Sequence, residues 1–244
     1  LQRHPVLAHD RKALLHRLAA LGLPLPAPGG DTMIGAYLLR PGQKSFTLAA
    51  TLCAEGLRAE DAATPPDAWD VCRLCALQQK RLAAQGMAAL LTDIELPLTD
   101  TLFHMEREGF RVDGQVLAAL GQTFTRQLEA NKDAVYRLTG VDGFNLNSPR
   151  QLGEVLFDKL GLPAGKKSKQ GAYSTDAEVL EALLPLHPAI EPLLSYRKLS
   201  KLMGTYVDGL QKLIDPAGRV HTTFDQTAAV TGRISSLEPN LQNI

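Results

Sequence analysis

The sequence has no excess of charge of one sign and no long apolar run. It contains 26 Lys and Arg residues against 26 Asp and Glu residues. This balance weakly disfavours a free-standing nucleic-acid-binding protein, because most such proteins are strongly basic. No stretch approaches the roughly 18 apolar residues that a membrane span needs, and no apolar run follows the N-terminus as in a signal peptide. We therefore expect a soluble cytoplasmic protein with no membrane partner.

Cysteine is also scarce. Three cysteines are too few for a disulfide framework. Cys72 and Cys75 form a C-x-x-C pair, but no second Cys/His pair follows at the spacing of a zinc site. Both fall in a predicted helix, Val71–Leu82, whose apolar residues recur at helical spacing. We interpret them as buried or half-buried free thiols.

The chain divides into three segments, 1–92, 93–214 and 215–244. With 45% apolar residues, it is long enough to bury more than one core. Asp31 is a candidate N-cap, Thr175 with Glu178 matches a capping box, and Ser148 before Pro149 gives an N-cap followed by proline. Periodicity and caps predict helices at 9–23, 32–39, 71–82, 95–107, 114–139, 151–160 and 188–213, and paired strands at 219–226 and 228–234.

Two basic features in the second segment are candidates for phosphate contact. Lys166, Lys167 and Lys169 lie in a short glycine-flanked stretch without acid, which can follow the negative charge of a nucleic-acid backbone; an ordinary solvated loop is the alternative. Arg197, Lys201 and Thr205 follow at i,i+4 spacing on one predicted helix face. The alternative for that stripe is an ordinary exposed helix face.

Short polar stretches supply further candidates. Asn145 and Asn147 precede Ser148 and could contact a nucleic-acid backbone, although Asn residues before a helix also cap and turn the chain. The final segment, TGRISSLEPNLQNI at 231–244, concentrates side chains that donate hydrogen bonds to bases, sugars and phosphates. The candidates there are Arg233, Asn240, Gln242 and Asn243, and for Asn243 a loop-capping role is the alternative.

The final segment resembles the TGR(L/I)SS…PNLQN stretch that opens the palm domain of family A DNA polymerases. Upstream blocks occur in the order of the thumb of that family, so that the resemblance covers about 150 residues. The blocks include MEREGF at 105–110, NLNSPRQLG at 145–153, LFDKLGLP at 156–163, STDAEVL at 174–180, YRKL at 196–199 and RVHT at 219–222.

The resemblance implies a fold in three parts. An α/β remnant of an RNase H-like 3′–5′ exonuclease-like domain would occupy 1–92, a mainly α-helical thumb 93–214, and the first antiparallel strands of a polymerase palm 215–244. It also implies that the candidate residues above bind primer–template DNA. Arg233 matches the arginine that reaches the minor groove at the primer terminus, where purine N3 and pyrimidine O2 accept hydrogen bonds from every base pair.

The same resemblance implies chemistry that this chain does not contain. In the family, two Mg²⁺ ions held by palm aspartates align the primer 3′-hydroxyl with the dNTP α-phosphate. Those aspartates, and the side chains that hold the dNTP, would lie beyond Ile244. We therefore expect a monomeric DNA polymerase of bacterial, nucleoid-associated type, of which this piece alone cannot extend a primer.

The first segment matches an exonuclease only weakly. Asp10, in AHDRKALL at 8–15, resembles the carboxylate of the second exonuclease motif. The third motif requires an aspartate four residues after an aromatic residue, but Trp69 is followed by Arg73, and Asp70 is out of register. Because two-metal cleavage needs several carboxylates, we interpret Asp10 as a vestige or a helix cap and the segment as inactive in proofreading.

Two alternatives to the polymerase remain at this point. One is a non-catalytic nucleic-acid-binding protein that keeps a polymerase thumb without the palm. The other is an active 3′–5′ exonuclease, which would need an upstream acidic motif and an unrecognised third motif, and it ranks last.

Overall fold

The computed structural model describes residues 4–59, 61–164 and 173–243, which form two compact units. The first unit ends at Phe110 and takes in the chain again from His221 onward, and the second is Arg111–Val220. The stretches 93–110 and 221–243 pack with the first segment. The domain boundaries expected from the sequence, 92/93 and 214/215, stay a prediction.

The described residues contain ten α-helices, six short strands and three π-helical turns. The helices are α1 (Arg11–Ala20), α2 (Thr32–Leu39), α3 (Leu48–Ala54), α4 (Ala68–Ala84), α5 (Leu96–Glu108), α6 (Gly114–Thr139), α7 (Pro149–Gly153), α8 (Ala177–Leu183), α9 (Ile190–Leu202) and α10 (Asp208–Gln211). The strands are β1 (Pro5–Ala8), β2 (Ala27–Asp31), β3 (Phe110–Arg111), β4 (Arg219–Val220), β5 (Thr223–Asp225) and β6 (Ser235–Leu237). The π-helical turns are Leu90–Glu95, Glu154–Lys159 and Met203–Val207.

The strands of the first unit form two separate pairs. Strands β1 and β2 run parallel, with Ala8 opposite Asp31, and β5 and β6 run antiparallel, with Phe224 opposite Ser236. The unit is otherwise helical. A single parallel pair is compatible with many α/β folds, so the RNase H-like remnant expected for 1–92 stays a prediction.

Helix α5 belongs to the first unit because of its contacts with α1. Phe103 is fully buried, and its ring meets His16 edge to face, with 4.8 Å between ring centroids. Arg11 of α1 is buried, and its Nε and Nη2 atoms donate to the Asp100 carboxylate at 2.8 and 3.2 Å. These contacts join residues that are about 90 positions apart, which no local sequence pattern reveals.

Helix α4 packs through one stripe of residues. Leu74, Gln78 and Leu82 recur every four residues on the buried side, as an amphipathic helix requires. Cys75 lies beside this stripe and is half-buried, whereas Cys72 lies off it and is exposed. The prediction of a half-buried thiol is therefore confirmed for Cys75 and wrong for Cys72.

The second unit is built around the interface of α6 and α9 with the short helices α7 and α8. Its core contains residues from all four helices and from the loop after α6. No helix within the described stretches combines the length and apolar character that crossing a membrane requires. The buried members of the core are Val135, Phe144, Leu146, Leu152, Val155, Leu156, Phe157, Leu180, Leu183, Ile190 and Leu193.

Helices with strong local caps have the predicted bounds. The Asp31 carboxylate accepts the N–H groups of Met33 and Ile34 and begins α2 at Thr32. Asp113 caps α6 in the same way, and Gly140, in the left-handed conformation, ends it. The cap predicted at Thr175 is wrong, since Asp176 accepts the N–H of Val179 and begins α8.

One predicted helix of the C-terminal part is confirmed and one predicted strand is wrong. The helix predicted at 188–213 is present as α9, the π-helical turn Met203–Val207 and α10, which follow one another without a break. The strand predicted at 228–234 is a loop, and β5 pairs instead with Ser235–Leu237. That loop contains a tight turn in which the Gly232 N–H donates to the Ala229 carbonyl at 3.2 Å, with Gly232 at φ 79°. Alternation of residue type did not reveal this turn.

Candidate nucleic-acid interface

The second unit brings the Asn145–Asn147 loop against helix α9. Asn147 Nδ2 donates to Ser200 Oγ at 2.9 Å, and Ser200 immediately precedes Lys201. Asn145 Oδ1 accepts the Asn147 N–H at 2.9 Å, which is a local turn contact of the kind short polar side chains make. Both Asn residues and Lys201 are exposed, and Asn147 joins the loop to α9.

Arg197 does not share that exposure. Its side chain is half-buried, and Nε donates to the Leu146 carbonyl at 3.1 Å. Nη1 donates to the Thr175 carbonyl, and Nη2 to the Thr175 hydroxyl at 3.2 Å. Burial lowers the pKa of the guanidinium from its ordinary value. The guanidinium therefore joins three segments of the unit, and its contact with DNA stays a prediction.

Thr205 lies in the π-helical turn Met203–Val207 and is exposed. In a π turn the hydrogen bonds run from i to i+5, so one turn takes more residues than in an α-helix. Along this face Arg197 is half-buried, whereas Lys201 and Thr205 are exposed. The shared stripe predicted for Arg197, Lys201 and Thr205 stays a prediction.

The basic stretch with Lys166, Lys167 and Lys169 lies outside the described residues. Its role in phosphate contact stays a prediction.

In the first unit, the polar C-terminal stretch folds back on the strand before it. Asn240 Oδ1 accepts the Gln242 N–H at 3.0 Å, and Gln242 Nε2 donates to the Ile234 carbonyl at 2.5 Å. Asn240, Gln242 and Asn243 are exposed, as is Arg233. Some hydrogen-bonding groups of Asn240 and Gln242 thus hold the loop in place. Arg233 is exposed, and the backbone of each neighbouring residue, Gly232 and Ile234, makes a hydrogen bond within the loop.

A buried carboxylate fixes strand β5, which leads into this loop. Glu106 Oε1 accepts the Phe224 N–H at 2.6 Å and also pairs with Lys12 Nζ. His16 Nε2 lies 2.5 Å from Glu106 Oε2, and Lys12 also donates to the Phe224 carbonyl. Because both backbone polar groups of Phe224 are bound by side chains from α1 and α5, β5 is tied to these helices.

Immediately after strand β5, Gln226 is buried. Its Oε1 accepts the Thr99 hydroxyl at 2.9 Å, and its Nε2 donates to a Glu95 carboxylate oxygen at 3.1 Å. The main chain that carries Arg233 is therefore bound to 1–110 at several successive positions.

The acidic residues with exonuclease-like positions have structural partners. Asp10 has φ 61° and caps α1, with its Oδ1 accepting the Ala13 N–H at 3.0 Å. Asp70 is buried, shares a capping box with Asp67, and pairs with Arg58 Nη1 at 2.6 Å. Within the ranges that the structure describes, no three His, Cys, Asp or Glu side chains group as a metal site.

Comparison with known proteins identifies the family. The profile described as DNA polymerase family A matches residues 114–244, more than half of the chain. The chain belongs to DNA polymerase family A.

Its relatives in this family are polymerases of bacteria. The DNA polymerase I of Geobacillus stearothermophilus is 41% identical over 96% of this chain and 29% of its own length. The thermostable DNA polymerase I of Thermus aquaticus is 45% identical over 98% of this chain and 28% of its own length. The chain thus spans less than a third of the curated relatives it matches.

A solved structure is also similar. It is described as the POL domain of Pol1 from M. smegmatis in complex with DNA primer-template and dNTP, and it has a TM-score of 0.84 at 41% identity. The similarity covers 98% of this chain and 43% of that chain. The resemblance stated from the sequence motifs is confirmed at the level of the family.

Several side chains of this family A chain that fix the site region were not found from sequence. Lys12, Glu106 and Gln226 act over more than 90 positions along the chain. Glu106 lies inside the MEREGF block that carried part of the resemblance, and this was the one available signal. Neither helical periodicity nor strand alternation singles out Lys12 or Gln226.

Proposed function

We propose that this chain supplies part of the primer–template-binding surface of a DNA-directed DNA polymerase, which adds dNTPs to a primer 3′ end in DNA replication and repair. One observation carries the proposal. Over 98% of its length the chain resembles a polymerase domain whose structure was solved with DNA primer-template and dNTP. The exposed polar edges of the two units support it.

In the second unit, the proposed contacts are to the phosphate backbone. Lys198 and Lys201 are exposed and three positions apart on α9, and Asn147, in the loop with Asn145, contacts Ser200. Lysines that neutralise phosphates release counterions, so binding becomes strongly salt-dependent without reading sequence. The same reasoning extends to Lys166, Lys167 and Lys169, and to a hydroxyl contact from Thr205.

In the first unit, the proposed contacts are to the minor groove near the primer terminus. The guanidinium of Arg233 can donate to purine N3 or pyrimidine O2, which occupy similar positions in all base pairs. Asn240, Gln242 and Asn243 would contact template and primer nearby. Such contacts test the shape of a base pair rather than its identity.

The chemical step is proposed for the intact protein only. Two Mg²⁺ ions held by palm aspartates beyond Ile244 would align the primer 3′-hydroxyl with the dNTP. The described residues of this chain group no metal ligands, so we assign them no step of the reaction. We further propose a monomer that works in the bacterial cytoplasm with the nucleoid, where its template is.

Residues 1–92 are proposed to form an exonuclease-like part that does not proofread. Asp10 is engaged in capping α1, and Asp70 is engaged with Arg58 and Asp67. Carboxylates that bind metal ions must turn oxygen lone pairs toward the ions. Here one Asp10 oxygen accepts the Ala13 N–H, and both Asp70 oxygens face protein donors, Arg58 and Arg73 among them.

The test is a gel assay of the intact protein on a 5′-labelled primer–template with Mg²⁺, with and without dNTPs. We expect lengthening with dNTPs and no shortening without them. The 244-residue chain should bind the same duplex, more weakly as salt rises, and leave the primer unchanged.

Other outcomes contradict defined parts of the proposal. Shortening without dNTPs would mean that the exonuclease-like part is active. A primer that the intact protein binds but never extends would favour the non-catalytic binding protein. Extension by the 244-residue chain alone would show that the chemistry is not confined to residues beyond Ile244.

A further inference from the structure

The turn before Arg233 is closed by a single backbone carbonyl. The Ala229 carbonyl accepts the Gly232 N–H at 3.2 Å, the i to i+3 contact of a tight turn. Gly232 has φ 79°, a conformation that glycine adopts without steric cost. The direction in which the chain leaves this turn sets the position of Arg233, the next residue.

A side chain from the exonuclease-like part bonds the same carbonyl. Tyr37 Oη donates to the Ala229 carbonyl at 2.6 Å, so both acceptor sites of that oxygen are used. Burial raises the pKa of Tyr37 from its ordinary 10.0, with the charge of Glu95 adding to the effect. The hydroxyl therefore keeps its proton, and remains a donor, at neutral pH.

Tyr37 is itself held firmly. It is 4% exposed, and its ring meets Phe46 edge to face at 5.9 Å between centroids. Helix α2 is capped by Asp31, and Gln78 Nε2 donates to the Thr32 carbonyl at 2.9 Å. A donor fixed in this way restrains the carbonyl it contacts, because moving the carbonyl would leave a buried hydroxyl without a partner.

We infer that Tyr37 is a positioning residue for Arg233: its hydroxyl fixes the Ala229–Gly232 turn and thereby aims the guanidinium at the minor groove of the primer–template. The inference rests on the proposed function, since it needs Arg233 to contact DNA. It gives the exonuclease-like part of the chain a role in DNA binding that requires no nuclease chemistry.

The test is a double-mutant cycle in the intact protein with Tyr37→Phe, Arg233→Ala and the double variant. The phenylalanine keeps the ring and its packing and removes only the hydroxyl. The dissociation constant for a labelled primer–template is measured by fluorescence anisotropy at one fixed salt concentration. Loss of one hydrogen bond predicts roughly 2- to 10-fold weaker binding for Tyr37→Phe. In the Arg233→Ala background, Tyr37→Phe should have no further effect.

A matched control is available in the second unit. Tyr136 Oη donates to the Phe144 carbonyl at 2.7 Å, so Tyr136→Phe removes the same kind of bond far along the chain from Arg233. Tyr136→Phe should change the dissociation constant by the same factor in wild type and in Arg233→Ala, because the effects of independent sites add in free energy. Hydrogen exchange of residues 229–234 should rise in Tyr37→Phe and not in Tyr136→Phe.

Three results would overturn the inference. If Tyr37→Phe binds as tightly as wild type, the hydroxyl does not position the loop for binding. If its effect multiplies with that of Arg233→Ala, it acts on stability and not through Arg233. If Arg233→Ala binds the primer–template as tightly as wild type, Arg233 makes no contact to be positioned and the inference is wrong. If wild type itself does not bind, the result contradicts the proposed function.

Discussion

Replacing Arg197 with lysine separates a structural role from a phosphate contact. The guanidinium donates to the Leu146 carbonyl, the Thr175 carbonyl and the Thr175 hydroxyl. Lysine keeps the positive charge, but its single ammonium group lacks the planar fork that reaches several acceptors at once. The variant therefore keeps the positive charge that the proposed attraction to DNA requires, and it loses most of the links between the loop at 146, the start of α8 and α9.

The size of the effect follows from the bonds that lysine cannot make. A hydrogen bond from a charged donor contributes about 1.5–3 kcal/mol, and half-burial places these bonds near the low end. If Arg197→Lys keeps one bond of the three, the free energy of unfolding falls by about 3 kcal/mol, the sum of two bonds at the lower figure. For a chain of this size, that corresponds to roughly 6–12 °C in melting temperature.

Two measurements on each variant distinguish the roles. Hydrogen exchange around residues 146–148 and 173–176 reports the links, and the slope of log binding constant against log salt reports phosphate contacts. Arg197→Lys should speed exchange and leave the slope unchanged. The control is Lys201→Ala, whose exposed side chain should reduce the slope by about 0.9 and leave exchange unchanged.

The reasoning would be refuted by the opposite pattern. If Arg197→Ala lowered the slope as much as Lys201→Ala does, and Arg197→Lys melted like wild type, the guanidinium would be a phosphate ligand. The contacts to Leu146 and Thr175 would then be incidental to stability.

Three further predictions concern the first unit, whose unfolding can be followed by far-UV circular dichroism. Burial raises the pKa of Asp31 from its ordinary 3.8, although backbone N–H groups oppose the shift. A carboxyl whose pKa is higher in the folded than in the unfolded protein stabilises the fold fully below pH 3.8, and this stabilisation is lost as the pH rises through the folded-state pKa. In urea titrations, the excess in free energy of unfolding of wild type over Asp31→Asn should therefore shrink as the pH rises. An excess that grows with pH would contradict this prediction. Glu106→Gln removes the negative partner of the half-buried Lys12 ammonium, which keeps only the Phe224 carbonyl, and should cost about 3 kcal/mol, the low end for breaking a buried pair. Adding Lys12→Met should recover part of the loss, and additive losses would show that the two side chains do not act as a pair. Asp10→Ala removes a cap and should cost about 1–2 kcal/mol, whereas Asp10→Asn, which caps equally well, should cost little; equal losses in thermal melts would contradict the capping role.

Elements with strong local signals were predictable from the sequence. Helix α6 begins after Asp113 and ends at Gly140, as its cap and its left-handed glycine indicate. Helix α2 was equally well defined by Asp31. Such signals lie within a few residues of the helix end they determine, so a single sequence contains all the information they need.

Contacts between distant residues were not predictable. The i,i+4 spacing of Arg197 and Lys201 is the same whether a side chain faces solvent or a neighbouring loop. Only the folded unit brings the Leu146 and Thr175 carbonyls to the guanidinium. For the same reason the pairing of β5 with Ser235–Leu237, and the π turn that contains Thr205, could not be derived from residue patterns.

The contacts of Asp10 and Tyr37 give the first segment a structural function that does not depend on the proposed loss of nuclease activity. Asp10 is needed where it stands because its carboxylate accepts the Ala13 N–H at the start of α1. Helix α1 in turn carries Lys12, which binds the Phe224 carbonyl of β5, and α2 carries Tyr37, which binds the Ala229 carbonyl. Loss of metal-binding carboxylates elsewhere would leave these contacts intact, whereas loss of the helices would release the main chain that carries Arg233. If proofreading is absent as proposed, selection for DNA binding is sufficient to preserve this part of the chain.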